Sequence, residues 1–398
     1  MADLSTSLIH HGYRPPEGFD AVAPAVHKAS TVLFPDVKSL RSREWKDKSA
    51  YTYGLHGTPT TYTLEERLAT LEGGRFCVLA PSGLSAIALV DMAFLRQGDQ
   101  VLLPDNAYGP GKAFAEGEMR HWGVAVDYYD PMKPDDLAAR LTPATRMVGL
   151  EAPGSITLEY PDLPALSAVV AAHNGTLSSD RPAVTVLDNT WGAGIAFNAF
   201  DLGVDVSVQA LTKYPSGGSD MMMGSVITRD ERLHRQVQSC HMRQGLCVGV
   251  NDAELVLRGL QTIALRYAAQ DAATRELATW MQTQAGVAQV FHPALPGSPG
   301  HASWKRDAVA AACLFGVLLD SRYDASRVDA FCDDLRLFRL GWSWAGPISL
   351  CAPYHVLPMR HRMPWPHKQT HLIRFAVGLE SVDDLRTDLS QALAKLVS

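Results

Sequence analysis

The chain has 398 residues, 46% of them hydrophobic and 20% charged, with a formal net charge of −6. That length allows two or three domains with sizeable cores, and that balance belongs to a folded globular protein rather than a disordered one. No long Lys/Arg block offers a footprint for nucleic acid or an anionic membrane, and no apolar run approaches the length needed to cross a bilayer, so small-molecule chemistry is the expectation.

Residues 1 to about 60 are punctuated by Pro and Gly and too irregular for a domain; they read as an arm that packs on something else. The opening MADLSTSLIHHGYRPPEG has neither the basic flank nor the apolar stretch of a secretory signal. Six scattered cysteines without a C-x-x-C pair fit reduced thiols, and together these features point to the cytoplasm. TLEERLATLEGG predicts a helix with Thr63 and Glu66 in capping-box spacing, Leu64, Leu68 and Leu71 on one face, and a stop at two glycines. RFCVLA predicts a buried strand and GLSAIALVDMAFL a largely buried helix. QVLLP, VAVDYYD, RMVGLEAP, AVTVLDNT and DVSVQAL predict further strands, most of them separated by helical patterns or polar turns.

This alternation predicts an α/β fold with a mainly parallel sheet, carried by a domain over residues 61–253. Asn174 in NGT reads as a turn, and Met221–Met223 as part of a strand. After a long helical stretch the pattern becomes α+β, which places a second domain at 254–398. It closes on an amphipathic helix, with Ser381 and Asp384 as its cap and Leu385, Leu389, Leu393 and Leu396 on its buried side.

Ligands of open parallel sheets bind beyond the carboxyl ends of the strands. SVQALTKYPSGGSD puts Lys213 at such an end, where it either marks the exit into solvent or is chemically used. Asp188, after the apolar run of AVTVLDNT, is either a turn former or a functional carboxylate at a similar level. Pro81-Ser82-Gly83-Leu84 joins a strand to a helix; it is either an ordinary turn or an anion cradle at a helix N-terminus. An amine, a carboxylate and a phosphate-binding turn together suit pyridoxal phosphate (PLP), which needs a Schiff-base lysine, an acidic partner for its ring nitrogen and an anion site.

The motifs YGLHGTPT, EAPGSITLE, LDNTWGAG, TKYPSGGSD, HPALPGSPGH and HLIRFAVGLES resemble, in order and from about residue 10 to 390, those of the Cys/Met-metabolism family of PLP-dependent enzymes. EAPGSIT and the pair Ser343-Trp344 are most similar to the bacterial cystathionine β-lyases within it. The resemblance implies an aspartate-aminotransferase-like fold (fold type I) and a carbon–sulfur lyase that takes cystathionine to homocysteine, pyruvate and ammonia. It also implies a homo-oligomer with shared active sites, a dimer at least and commonly a tetramer. By resemblance Lys213 is the Schiff-base lysine and proton carrier, Asp188 meets the pyridine nitrogen, and Tyr108 stacks on the ring. Gly83, Leu84 and Thr212 hold the phosphate, joined by Tyr53 from a neighbouring subunit. Arg374 grips the substrate carboxylate, with Ser343 beside Trp344 helping to place it.

Three positions depart from the family pattern. Leu55 stands where an arginine usually contacts the phosphate, Ala210 where a serine does, and Ala345 where a glycine is common. γ-Acting members of the family share the lysine, aspartate and arginine and form the alternative. A non-catalytic binding protein on the same fold is a remote one, while a dehydrogenase is disfavoured because no G-x-G-x-x-G follows the first strand. His361, His367 and His371 lie in a proline-rich run, which suits a loop at the site's mouth better than a metal site.

Overall fold

A computed structural model describes residues 3–10, 17–18, 21–42, 44–48, 50–177 and 181–397. Parts of the expected N-terminal arm, residues 1–2, 11–16, 19–20, 43 and 49, lie outside the described residues.

Seven strands form the larger sheet: β1 (Phe76–Ala80), β2 (Gln100–Pro104), β3 (Ala125–Tyr129), β4 (Thr145–Glu151), β5 (Val184–Asp188), β6 (Val206–Ala210) and β7 (Gly224–Thr228). Their order is β1-β7-β6-β5-β4-β2-β3, and β7 alone runs antiparallel to both its neighbours. Short apolar runs, rather than alternating ones, arise because helices cover both faces. Cys77 and Leu79 enter one core while Val78 and Ala80 enter another. The fold is therefore the α/β, mainly parallel arrangement expected of the sequence.

Four local expectations change. The first long helix spans Pro59–Glu72, and its capping box is Thr58 with Thr61 rather than Thr63 with Glu66. Pro59 starts it because a proline at the first helical position sacrifices no bond, while Leu64, Leu68 and Leu71 are buried as expected. Met221–Met223 are not a strand but an extended lead-in to β7. Met221 and Met223 are buried there and Met222 is exposed. Asn174 sits in the last turn of the helix Leu163–Thr176, where its amide exchanges two hydrogen bonds with the Ala183 backbone. Lys213 is not on a strand, for β6 stops at Ala210 and the lysine follows in a turn, its N–H donating to Ala210 O.

The long helical stretch is two helices, Val250–Leu260 and Ile263–Met281, so the expected boundary near 254 falls inside the first of them. Beyond it, β8 (Val287–Phe291), β9 (Leu314–Leu319), β10 (Arg339–Leu340), β11 (Leu350–His355) and β12 (His371–Ala376) make a smaller sheet in the order β10-β11-β12-β9-β8. On β12 the period of two divides the labour. Ile373 and Phe375 face the small sheet's own core, together with the buried leucines of the helix Val382–Val397. Leu372 and Ala376 belong to the large core instead, and Arg374 shares their side of the strand. The small sheet thus delivers one arginine toward the carboxyl ends of the large sheet's strands. All six cysteines are free. No helix among the described residues is long and apolar enough to cross a membrane.

Candidate active site

Lys213 lies where the two sheets meet. Its Nζ donates to Ser343 Oγ at 2.8 Å and stands 5.6 Å from the Trp344 ring centroid. Burial, reinforced by the Arg374 charge, lowers its pKa to about 8. Trp344 is edge-on to Tyr214, with ring centroids 5.6 Å apart, which fixes the aromatic wall beside the amine.

Asp188 ends β5, and its register partner on β4 is Glu151. Burial raises the Asp188 carboxyl above its ordinary value, opposed by two bonds from Thr190, N–H at 3.0 Å and Oγ1 at 2.5 Å, and by Lys213. Glu151 is raised further, by burial first and by the Asp188 charge second, and it accepts the Tyr108 N–H at 2.7 Å. Tyr108 is 40% exposed and lines one cavity together with Glu151 and Asp188. Sequence reasoning missed Glu151, although the signal it used for Asp188, an acid closing an apolar strand, was equally present in RMVGLEAP.

The helix Gly83–Phe94 begins beside these groups. Ser82 caps it by accepting the Ser85 N–H, so the N–H groups of Gly83 and Leu84 are left without intrahelical acceptors. A Cβ on Gly83 would lie 2.6 Å from Ala210 Cβ, so glycine is what lets the helix start approach the end of β6. Thr212 Oγ1 accepts the Met223 N–H at 3.2 Å, which holds that hydroxyl at the same strand end. Arg374 is 7% exposed; its Nη1 donates to Ser155 O at 3.2 Å and its guanidinium lies over Tyr354 at 5.3 Å. Burial lowers its pKa from the usual arginine value.

Tyr53 stands apart from this group within the chain. It is 47% exposed and edge-on to His56, which is hydrogen-bonded to Thr52 at 2.7 Å and stacked on Trp45. His56 is thereby occupied inside the arm. Of the three loop histidines, His361 stacks on Tyr128, His367 packs against Phe291 and Trp365, and His371 stacks on His355. They do not converge.

A family model described as Cys/Met metabolism PLP-dependent enzyme matches residues 5–394. The chain belongs to this family. It is 37% identical over 99% of its length to a putative cystathionine beta-lyase of Rhizobium johnstonii, covering 96% of that protein. It is 36% identical over all of both chains to cystathionine beta-lyase MetC of Escherichia coli. A solved cystathionine gamma synthase from Xanthomonas oryzae, in complex with aminoacrylate and cysteine, superposes with a TM-score of 0.88 at 30% identity, over 100% of this chain and 99% of that one. The fold is fold type I, and the cofactor of the family is PLP. The residues present fit that group: a buried amine of lowered pKa, a carboxylate at the neighbouring strand end, a part-exposed tyrosine lining the same cavity as that carboxylate, and a helix start kept clear by Gly83.

Proposed function

We propose that the protein is a PLP-dependent carbon–sulfur lyase that cleaves the bond between the β-carbon and sulfur of L-cystathionine. The observation that carries this reading is the Lys213–Ser343 contact at 2.8 Å, which joins a proton-accepting amine to the Ser343-Trp344 pair.

The cofactor supplies an aldehyde for the substrate's amino group and a ring that accepts the electron pair left on the α-carbon. Every other task falls to the chain's own residues. Arg374, fixed by Ser155 O and Tyr354, takes the substrate's α-carboxylate with its planar fork of donors. Ser343 orients that carboxylate and releases Lys213 as substrate enters. Lys213 Nζ accepts the α-proton; at a pKa of about 8 a useful fraction is neutral near pH 7, which an ordinary lysine does not provide. The Cβ–S bond then breaks with its electron pair leaving on sulfur, and the three-carbon remainder hydrolyses to pyruvate and ammonia. Tyr108 would cover one face of the cofactor ring and Asp188 would meet its nitrogen. The backbone N–H groups of Gly83 and Leu84 and the Thr212 hydroxyl would receive the phosphate. Tyr53 serves the phosphate of a second copy, in a dimer or a tetramer built from dimers.

Products test this reading. Pyruvate and homocysteine released in equal amounts from L-cystathionine support it. The Xanthomonas γ-synthase shares the fold, so fold does not separate the chemistries; 2-oxobutyrate with cysteine would replace β-cleavage by γ-cleavage.

A further inference from the structure

The connection between β11 and β12 leaves the small sheet and grips the turn that carries Tyr108. Asp105, only 1% exposed, accepts three successive backbone N–H groups from it: His361 at 2.7 Å, Arg362 at 2.8 Å and Met363 at 2.6 Å. Lys112 closes the other side, its Nζ donating to Asp105 O and to Met359 O, both at 2.8 Å. Arg360 pairs with the buried Glu159, which also accepts Asn106 Nδ2 at 3.1 Å.

These contacts continue into the site. Asn106 O accepts the Ser155 N–H at 3.0 Å, and Ser155 O accepts Arg374 Nη1 at 3.2 Å. Gly154 is needed for this approach, since a Cβ there would lie 2.2 Å from Asn106 Nδ2. Two paths therefore leave residues 359–363. One runs through Asp105 to Tyr108, three positions along the same turn; the other runs through Glu159, Asn106 and Ser155 to Arg374. Buried carboxylates with several charge-assisted bonds hold their donors stiffly, and such supporting groups set the orientation of the residues they carry.

We propose that residues 359–363 are a strut that sets the Tyr108 ring and the Arg374 guanidinium in mutual register, with Asp105 and Glu159 as positioning residues. This rests on the roles proposed above for Tyr108 and Arg374. It makes the β11–β12 connection part of the site's precision rather than a covering loop.

The molecule contains a matched control. Asp388, in the small domain, is also buried and also accepts three successive backbone N–H groups, from Arg336, Leu337 and Phe338. Asp105→Asn and Asp388→Asn should both lower the unfolding midpoint. Asp105→Asn alone should lower the visible circular dichroism of bound PLP about twofold and raise the glycine concentration that half-shifts that band about tenfold, the scale expected when reacting groups are displaced by a fraction of an ångström. Glycine serves as a probe with an α-carboxylate and no leaving group. If Asp105→Asn keeps the wild-type band and glycine response, or if Asp388→Asn shifts them equally, the strut is only structural and the proposal fails. Should Asp105→Asn not fold, Arg360→Lys reads the second path: it keeps the charge but loses the fork, with an expected loss of about threefold in glycine response, and an unchanged response overturns the proposal. Neither readout is turnover, so wild-type protein that binds PLP but forms no pyruvate would remove the proposed activity and leave this comparison intact.

Discussion

Lys213 Nζ and Ser343 Oγ are 2.8 Å apart, one on the turn after β6 and the other on the segment before β11. The amine is thus held by a residue of the small domain rather than by the turn that carries it. Ser343→Ala is expected to lower kcat/KM for cystathionine about tenfold, the value of one hydrogen bond to a charged group. A rise in KM larger than the fall in kcat would mark the hydroxyl as a carboxylate guide, and steady-state pyruvate release measures both.

The lowered pKa of Lys213 gives a pH dependence with a definite sign. Cofactor-free protein should capture added PLP faster as pH rises, because only the neutral amine attacks an aldehyde, and the rate should level off above about 8. Stopped-flow absorbance between pH 6 and pH 10 (about four decades of proton activity) reads the midpoint. A midpoint near the ordinary lysine value would contradict burial as its cause.

Ala210 faces the start of the helix Gly83–Phe94, as the 2.6 Å approach of a Gly83 Cβ to its Cβ shows. A hydroxyl there would be aimed at the proposed phosphate site. Ala210→Ser should therefore tighten PLP binding about tenfold, worth about 1.4 kcal/mol. Fluorescence titration of cofactor-free protein checks it; weaker binding would move the phosphate elsewhere.

Asp91 lies on the same helix, 3% exposed, and lines a cavity of about 60 Å³ with Glu151 and Asp188 on its wall. Burial raises its carboxyl to about 8. The folded state therefore keeps a proton that the unfolded chain loses near pH 4, and this contribution makes stability fall as pH rises from about 4 to about 8. Asp91→Asn should match the wild type at pH 4 and be more stable by about 1–3 kcal/mol at pH 7, as urea unfolding would show. Equal stability at both values would place a charge-neutralising partner beside Asp91.

The strands and the chemistry-bearing ends of β5 and β6 were legible because buried parallel strands are written as apolar runs with polar stops. β7 was not among the expected strands, since GSVIT follows a methionine run that was itself read as the strand. The helix at Pro59 started early because Thr58 and Thr61, not Thr63 and Glu66, satisfied its first N–H groups. Ala345 was legible only as a departure; its φ of +64° explains why glycine suits that position. Asp105 and Lys112 bond the backbone of residues 359–363 and Glu159 pairs with the Arg360 guanidinium, all about 200 residues or more away in sequence, and no local pattern announces such pairings.

The most direct test is to reduce PLP-loaded protein with borohydride and map the labelled peptide. The cofactor should be found on Lys213 alone, and Lys213→Ala should carry no label and release pyruvate at least about 10³-fold more slowly. Label on any other side chain, or an unlabelled Lys213 peptide from fully loaded protein, would contradict the account.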